Sequence, residues 1–234
     1  FGSANGEARR LARISHVNII HILGTFQKEN EYGDISLGVV LEYAEHGSLE
    51  SLLSPHAQAT PERLMAAFGD RTALPGYTTT SLRIFLELAA ALAFLHNAPN
   101  CMAHRDLKPQ NLLIVRGGVV RVCDFDMARS EVSLGRSHTS LQRGTLGFMA
   151  DELFRPPPGY DVSDFSNLKS TDMFSFGRTL SAVLTGVIPQ SGVPSATALP
   201  EGTPDTLVRL IADYEQQDYR ARPTIDAALR VLSA

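Results

Sequence analysis

The stretch HRDLKPQN, residues His104–Asn111, places a carboxylate, an ammonium group and a carboxamide within six residues. A carboxylate such as Asp106 can take the proton of a hydroxyl nucleophile, and a neighbouring lysine, Lys108, can neutralise charge on a transferred phosphoryl group. Pro109 stiffens the loop between them, and Asn111 adds a neutral oxygen that suits magnesium. The stretch therefore predicts a phosphoryl-transfer centre. The alternative is a polar turn that precedes a buried hairpin.

A hairpin is predicted directly after this stretch. Two apolar runs, Leu112 to Val115 and Val119 to Cys123, flank Arg116-Gly117-Gly118. With the glycine pair as a two-residue loop, Arg116 faces Val119 and Asn111 faces Asp124. Adjacent strands lie about 4.8 Å apart, so two oxygen ligands from separate sequence positions would converge on a space the size of a metal ion.

Together these residues resemble the protein kinase family. HRDLKPQN is similar to the catalytic loop of that family, and Asp124-Phe125-Asp126 stands where the family has its metal-binding DFG sequence. The resemblance implies that Asp106 orients the nucleophile, that Lys108 stabilises the transferred group, and that Asn111 and Asp124 hold magnesium. It also implies ATP as the phosphoryl donor.

The resemblance assigns structural and regulatory positions near this centre as well. His104, Arg105 and Phe125 belong to the two matching motifs, and Thr145 lies in GTLGFMADE, which is similar to the family's GTxxYMAPE. Because Arg105 precedes the base, phosphate on the activation segment is predicted to order that segment. The candidate acceptors are Ser137, Thr139, Ser140 and Thr145.

The segment EYAEHGSL, residues 42–49, resembles the hinge of the family, where adenine is bound through backbone groups. The implied contacts are the carbonyl of Glu42 and the amide of Ala44. Leu41 would guard the back of the pocket, and Leu113 completes the expected cofactor-binding set. An ordinary strand exit with a glycine turn is the alternative.

The chain before the hinge predicts one helix and two strands. The helix runs from Glu7 to Ile14, with arginines on one side and apolar residues on the other, and the strands cover 20–27 and 37–42. Glu7 occupies the place of the glutamate in the family's αC helix. The alternative is a solvated glutamate in a first helical turn.

Residues 54–80 contain three prolines and two glycines and predict a surface insertion, which offers a site for a regulatory partner. A buried helix is predicted to follow, capped by Ser81 and ending at Leu95. Its apolar run is too short to cross a bilayer and contains Glu87. No membrane span is therefore predicted.

Three charged residues in the second half resemble scaffold positions of the family. Glu152 is expected to pair with Arg222, because arginine and a carboxylate form bidentate ion pairs. Asp172 resembles the residue that braces the catalytic loop, and the alternative is a charge at a helix N-terminus. The helix after Ser170-Thr171-Asp172 is predicted over 173–185, ended by Gly186, and two later helices over 205–214 and 224–232.

Composition predicts a folded single domain with a sizeable core, since the 234 residues are 44% hydrophobic and 20% charged. The net charge of −4, without a basic block, argues against nucleic acid as a partner. Cys101 and Cys123 are too few for a disulfide framework. A reducing compartment, and hence a cytoplasmic location, is the resulting expectation.

The expected fold class is α+β, a protein kinase domain over residues 1–234 with a mainly helical C-lobe. Residues 1–43 are interpreted as a remnant of the N-lobe and residues 44–234 as the C-lobe. No GxGxxG sequence occurs, and none of the three lysines precedes Glu7. On this interpretation the chain is truncated before the αC helix and is inactive by itself.

The expected function of the parent protein is the transfer of the ATP γ-phosphoryl group to serine or threonine hydroxyls of a protein substrate. Lys108 favours this specificity, because tyrosine kinases usually carry Ala or Arg in that part of the loop, and the hinge and the segment around Thr145 hint at the tyrosine-kinase-like group. One alternative is a pseudokinase or interaction module without catalysis. Another is a small-molecule phosphotransferase, although such enzymes lack the Lys108-Pro109 pattern. Asp126, where the family has Gly, adopts positive φ only with strain.

Overall fold

Helices form most of the core and short antiparallel sheets lie beside them, so the fold is α+β, as expected. The computed structural model describes residues 14–29, 33, 35–53, 60–125, 127–130, 145–190, 193 and 199–233. Several expectations concern other positions. Glu7 with most of its predicted helix, Asp126, and the acceptors Ser137, Thr139 and Ser140 lie outside the described residues.

Six strands and six α-helices are assigned in the described part of the chain. The strands are β1 (Ile22–Glu29), β2 (Ile35–Leu41), β3 (Met102–Ala103), β4 (Leu112–Val115), β5 (Val119–Val122) and β6 (Arg129–Ser130). The helices are α1 (Glu50–Leu53), α2 (Pro61–Phe68), α3 (Thr79–His96), α4 (Phe165–Thr185), α5 (Asp205–Tyr214) and α6 (Ile225–Leu232). The antiparallel pairs are β1 with β2, β3 with β6, and β4 with β5.

The first strand lies two residues later than predicted, over 22–29 instead of 20–27. The reason is that Ile19 and Ile20 are buried and pair with Val122 of β5 instead. The amide of Ile20 donates to the carbonyl of Val122 at 2.9 Å. The second strand begins at Ile35, two residues before its predicted start. The β1–β2 hairpin is thereby attached to the β4–β5 hairpin.

The β4–β5 hairpin forms where it was predicted, but the predicted register is wrong by one residue. Val115 pairs with Val119, whereas the prediction paired Arg116 with Val119. The turn contains three residues, Arg116–Gly118, and both of its glycines have positive φ, +81° and +73°. Glycine adopts such angles without strain, so the longer turn is accessible to this sequence.

This shift changes which residues face each other at the open end of the hairpin. The amide of Cys123 donates to the carbonyl of Asn111 at 2.9 Å, so Cys123 lies opposite Asn111. Asp124 follows one residue later instead of facing Asn111 directly. Both predicted metal ligands nevertheless lie at the same end of the hairpin.

The segment 54–80, predicted as a surface insertion, contains a helix and contributes several side chains to the core. Residues 61–68 form α2, whose N-terminus is capped by the Thr60 hydroxyl and whose C-terminus is ended by Gly69 in the left-handed conformation. Proline at the first helical position starts this helix and does not interrupt it. Four apolar side chains of the segment belong to the main core: Leu64, Ala67, Ala73 and Leu74.

Helix α3 begins at Thr79, two residues before the predicted cap. Its N-cap is Thr78, whose hydroxyl accepts a hydrogen bond from the Ser81 amide at 3.1 Å. The Ser81 hydroxyl in turn accepts one from the Thr78 amide at 2.8 Å. Ser81 is therefore the third helical residue of a capping box and not the cap itself.

By length and composition alone, α3 is also a candidate membrane span, with a mean hydropathy of 1.3. Half of the helix is buried inside the protein. Its apolar side chains, among them Phe85, Leu88 and Leu92, belong to the main core. The helix packs against α6 and β5, so its apolar character is explained by its place in the core.

Helix α4 begins eight residues before its predicted start. Its N-cap is Asp164, which accepts a hydrogen bond from the Ser166 amide at 2.8 Å. The residues Ser170-Thr171-Asp172, which predicted the start, lie inside the helix and resemble a cap only in their composition. The predicted end is confirmed, because Gly186 follows the last helical residue in the left-handed conformation.

The last two helices agree with their predicted ranges. Helix α5 covers 205–214, as expected, and packs against α4. Helix α6 begins at Ile225, one residue later than expected, because Thr224 is its N-cap. Both contribute buried residues to the cluster that contains α3 and α4. Helices α1 and α4 both contact the turn Pro109–Asn111 within the HRDLKPQN motif.

We expect Gly118→Ala to lower the free energy of unfolding by about 2–5 kcal/mol. A Cβ at Gly118 would lie 2.6 Å from the carbonyl oxygen of Ala67 in α2. This collision, about 1–3 kcal/mol, adds to the left-handed strain of alanine, about 1–2 kcal/mol. Gly117→Ala is the matched control, because a Cβ there would meet nothing within 4 Å. Urea unfolding measures both variants, and equal losses would contradict the packing of α2 on this turn.

Candidate active site

The carboxylate of Asp106 lies at the centre of a hydrogen-bonded group. The ammonium nitrogen of Lys108 donates to Oδ2 of Asp106 at 2.6 Å, and the hydroxyl of Thr145 donates to Oδ1 at 3.2 Å. Lys108 also donates to the Thr145 hydroxyl. The side chains of Asp106 and Lys108 are only 10% and 15% exposed, so water screens their charges less than at the surface. The structure thus brings Asp106, Lys108 and Thr145 together.

Asn111 is held against Asp106 by its amide nitrogen. Nδ2 of Asn111 donates to the backbone carbonyl of Asp106 at 2.8 Å and to Oδ2 of Asp106 at 3.1 Å. The short 3-10 turn Pro109–Asn111 brings the carboxamide back toward the loop. Because the amide hydrogens are directed at Asp106, the carboxamide oxygen is the atom that remains for a cation.

Two residues of the site have left-handed backbone conformations. The φ angle is +71° at Arg105 and +62° at Asp124. Residues other than Gly, Asn and Asp rarely adopt such values. Arg105 directly precedes Asp106, and Asp124 directly precedes Phe125, which is buried in the main core. Such conformations persist only where the surrounding structure holds them. The carboxylate of Asp124 belongs to an exposed residue.

His104 connects the catalytic loop to the segment that carries Asp124. Its Nε2 donates to the carbonyl of Cys123 at 3.0 Å, and its Nδ1 accepts from the amide of Asp106 at 3.3 Å. Its ring lies 5.0 Å from the ring of Phe125 in an edge arrangement. Burial lowers the pKa of His104, although nearby carboxylates oppose the shift. A neutral ring, with one donor and one acceptor, matches these two bonds.

Asp172 of α4 binds the backbone of the catalytic loop. Its carboxylate accepts from the amides of His104 and Arg105, both at 2.7 Å, and from Nε2 of His96 at 2.8 Å. Burial alone would raise the pKa of Asp172, but the hydrogen bond and charge of His96, with the other partners, outweigh burial and hold the pKa below its ordinary value. The carboxylate therefore stays charged although it is fully buried.

The ion pair expected between Glu152 and Arg222 is present and bidentate. Nη1 and Nη2 of Arg222 donate to Oε1 and Oε2 of Glu152 at 2.5 and 2.9 Å. The two side chains are 2% and 1% exposed. Nε of Arg222 donates to the carbonyl of Gln216 at 2.9 Å, and the guanidinium lies 5.0 Å from the ring centre of Phe174. The pair joins the segment after Thr145 to the connection between α5 and α6.

The residues expected at the hinge lie between the two larger hairpins. Leu41 is the last residue of β2, and the amide of Glu42 donates to the carbonyl of His21 at 2.9 Å. Beyond Ala44, the chain runs alongside β4, because Leu113 forms a bridge with Ser48. The four residues expected to bind the cofactor therefore lie in neighbouring segments: Leu41, Glu42, Ala44 and Leu113.

Sequence reasoning missed two residues that contact the carboxylate of Glu42, namely Arg121 and His21. Nε of Arg121 in β5 lies 3.1 Å from the carboxylate of Glu42, and this arginine also donates to the carbonyl of Val17. The ring of His21 lies 3.3 Å from the same carboxylate. Neither residue belongs to a local motif, so only the pairing of distant strands could have connected them with Glu42.

The partner of His96 was missed for the same reason. His96 contacts Asp172 across 76 positions of sequence. Its only sequence signal is its place in the last turn of α3, where a histidine interacts favourably with the helix dipole. That signal does not identify a partner in another helix.

We expect the free energy of unfolding to fall as the pH decreases below about 6.5, because of His104. Its folded pKa is lowered, so the unfolded state binds a proton that the folded state does not. The loss reaches up to about 1.4 kcal/mol per pH unit for one proton. His104→Gln keeps a donor for the carbonyl of Cys123 but does not titrate, and should flatten this dependence. Urea midpoints between about pH 7.5 and about pH 5.5 measure it.

His16→Gln is the control for this experiment. Burial and Arg121 lower the pKa of His16 as well, so His16 contributes a dependence of the same sign. His16→Gln should leave the contribution of His104 to the pH dependence in place. A pH dependence of the free energy of unfolding that His104→Gln does not change would contradict the role given to His104. The lowered pKa of Asp172 removes stability only below about pH 4, outside this range.

Removing one partner of the Glu152–Arg222 pair should cost about 3–5 kcal/mol, because an uncompensated buried charge remains. We expect this loss in Arg222→Met, and we expect the double variant Glu152→Leu/Arg222→Met to recover much of it. Chemical unfolding measures both. If the double variant is as unstable as the single one, the contacts of Arg222 with Phe174 and Gln216 dominate instead of the charge.

Comparisons of this sequence with known proteins point to one family. The family model described as "Protein kinase domain" matches residues 2–231. Mitogen-activated protein kinase kinase kinase 7 from Homo sapiens is 30% identical over 243 aligned positions, which cover 97% of this chain and 34% of that protein. A probable serine/threonine-protein kinase from Dictyostelium discoideum is 27% identical over 230 positions, covering 95% of this chain and 40% of that protein.

The chain thus spans about a third of the length of the first of these relatives. The family generally uses ATP and Mg²⁺ and acts on protein substrates. The matched region includes the catalytic loop, the segment after it and the helices that hold both. The chain belongs to the protein kinase family.

Proposed function

We propose that this chain forms the catalytic part of a protein serine/threonine kinase that transfers the γ-phosphoryl group of ATP to a protein hydroxyl. One observation carries the proposal. The largely buried carboxylate of Asp106 contacts an ammonium group, a carboxamide and a hydroxyl, supplied by Lys108, Asn111 and Thr145. These are the functional groups that orientation of a hydroxyl and stabilisation of a phosphoryl group require.

Asp106 would orient the substrate hydroxyl and take its proton. The Thr145 hydroxyl donates to Oδ1 at 3.2 Å, which supports the proposal because a hydroxyl donor fits against this oxygen. Oδ2 is occupied by Lys108 and Asn111. The two oxygens of the carboxylate would therefore have separate tasks, with Oδ2 holding the loop and Oδ1 facing the nucleophile.

Lys108 would stabilise negative charge on the transferred phosphoryl group. Its ammonium group lies 2.6 Å from Asp106, so it is held beside the proposed base and can contact a group attacked by a hydroxyl bound there. Serine or threonine specificity is supported by the similarity to the Dictyostelium discoideum relative, a probable serine/threonine-protein kinase.

The donor set fits a magnesium ion with ATP. The carboxamide oxygen of Asn111 and the exposed carboxylate of Asp124 are hard oxygen ligands, and such sites are completed by water and nucleotide phosphates. Bound there, magnesium would neutralise charge on the β- and γ-phosphates. The backbone of Glu42 and Ala44 would bind the adenine, beside the side chains of Leu41 and Leu113.

A protein is the substrate, and a cytoplasmic location remains part of the proposal because of the cysteine content. A regulatory partner at 54–80 is less well supported, because the described apolar residues of that segment lie in the core. A non-catalytic kinase-fold module is the second candidate, favoured by Asp126, which stands where the family has the glycine of its DFG sequence.

The test is phosphoryl transfer from γ-labelled ATP to a generic protein substrate by the natural polypeptide that contains these residues. We expect Asp106→Asn to lower kcat by at least about 10²–10⁴-fold, the usual contribution of general base catalysis. Asp70→Asn is the matched control, an isosteric change at an exposed aspartate whose carboxylate accepts bonds from Thr72. Wild type without transfer, or a fully active Asp106→Asn variant, would overturn the enzyme in favour of the second candidate.

A further inference from the structure

Two side chains on one face of α4 bind consecutive carbonyl groups after Thr145. Nε of Arg178 donates to the carbonyl of Gly147 at 2.8 Å, and the hydroxyl of Ser175 donates to the carbonyl of Phe148 at 2.8 Å. Residues three positions apart lie on the same face of a helix. Helix α4 therefore holds the backbone of Gly147 and Phe148 in place through two hydrogen bonds.

Arg178 connects the same backbone to a second segment. Its Nη1 donates to the carbonyl of Val193 at 2.5 Å, and its Nη2 donates to the carbonyl of Gln190. A guanidinium group carries five N–H donors in a rigid plane, so one side chain can bind three carbonyls. Arg178 is 2% exposed, so water competes little for these bonds.

Glu215, directly after α5, balances the charge of Arg178. Oε2 of Glu215 lies 3.5 Å from Nη1 of Arg178, and the two side chains are 6% and 3% exposed. Gly177 makes this approach possible, because a Cβ there would lie only 2.8 Å from Cβ of Tyr214. The close crossing of α4 and α5 therefore brings the carboxylate to the arginine.

The backbone held by Arg178 is continuous with the candidate active site. The amide of Phe148 donates to the carbonyl of Thr145 at 3.0 Å, which closes the turn Thr145–Phe148. Leu146 within this turn is 69% exposed. A Cβ at Gly147 would collide with the carbonyl of Pro189, so the turn lies directly against the second segment. Displacement of Gly147 would also displace Thr145, which contacts Asp106.

We propose that Arg178 is a positioning residue for the protein substrate. By binding the carbonyls of Gly147, Gln190 and Val193, it fixes the turn Thr145–Phe148 beside Asp106, and the turn sets where the substrate backbone lies. The exposed side chain of Leu146 provides the surface that the substrate meets. This inference rests on the proposed function, because the turn adjoins the substrate only if Asp106 receives the substrate hydroxyl.

A merely structural role for Arg178 leads to a different result. Loss of a structural contact lowers the fraction of folded enzyme, and hence the apparent kcat, without changing the KM of the remaining molecules. Loss of a positioning contact weakens the complex with the protein substrate and leaves ATP binding intact. The KM values for the two substrates therefore distinguish the two roles.

The experiment compares the natural polypeptide with its double variant Arg178→Met/Glu215→Leu. Both charges are removed together, so that no uncompensated buried charge unfolds the protein. We expect KM for the protein substrate to rise about tenfold, with KM for ATP within about twofold, since small displacements near a reacting group have effects of this size or larger. An unchanged KM for the protein substrate would overturn the proposal.

Two further variants test whether the hydrogen bonds of Arg178 to the carbonyls cause the change in KM. Arg178→Lys keeps the charge beside Glu215 but cannot bind three carbonyls in one plane, so it should raise KM for the protein substrate as well. Full activity in this variant would show that charge alone suffices and would contradict the proposal. Arg83→Met is the matched control, because Arg83 donates to another glycine carbonyl, that of Gly118, at 3.1 Å. It should leave both KM values unchanged.

Amide hydrogen exchange provides a readout that needs no catalysis. In the double variant, the amide of Phe148, which donates to the carbonyl of Thr145, should exchange at least about tenfold faster, while those in the middle of α4 stay protected. Unchanged exchange at Phe148 would overturn the proposal. Wild type without phosphoryl transfer would overturn the proposed function and the substrate role with it, and exchange would still show whether Arg178 fixes the turn.

Discussion

The fully buried carboxylate of Asp172 requires hydrogen-bond donors, and the catalytic loop supplies two of them. An ion removed from water is tolerated only when its oxygens are bonded, and here the consecutive amides of His104 and Arg105 bind it with His96. Two consecutive amides can reach one carboxylate only where the chain turns sharply, which the positive φ of Arg105 provides. Asp106 is the next residue. The position of the proposed base therefore follows from the bonding of a buried charge.

The same helix binds both parts of the site. Asp172, Ser175 and Arg178 are spaced three residues apart in α4, and they bind the catalytic loop, the carbonyl of Phe148 and the carbonyl of Gly147. Loops alone hold distances poorly, whereas side chains on a packed helix keep them constant. Because one rigid element binds both the loop with Asp106 and the turn with Thr145, their mutual distance is set by helix geometry.

Local motifs were predictable from the sequence, and contacts between distant elements were not. HRDLKPQN, the β4–β5 hairpin and the end of α4 at Gly186 depend on neighbouring residues, so they were recognised. The start of α4 was misplaced because Ser170-Thr171-Asp172 has the composition of a cap but is buried inside a helix. The helix within residues 54–80 was missed because prolines that begin helices resemble prolines in loops. Arg121 and Arg178 bind partners through strand pairing and helix crossing, which no local pattern indicates.

Despite the register error in the β4–β5 hairpin, Asn111 and Asp124 lie at the same end of the hairpin. In a regular strand, a slip of one residue would turn a side chain to the opposite face. Asp124, however, lies beyond the end of β5, and its positive φ, +62°, breaks the alternation of the strand. The bond from His104 to the carbonyl of Cys123 and the burial of Phe125 hold the residues on either side. The left-handed conformation of Asp124, maintained by these two neighbours, therefore determines its position more than strand register does.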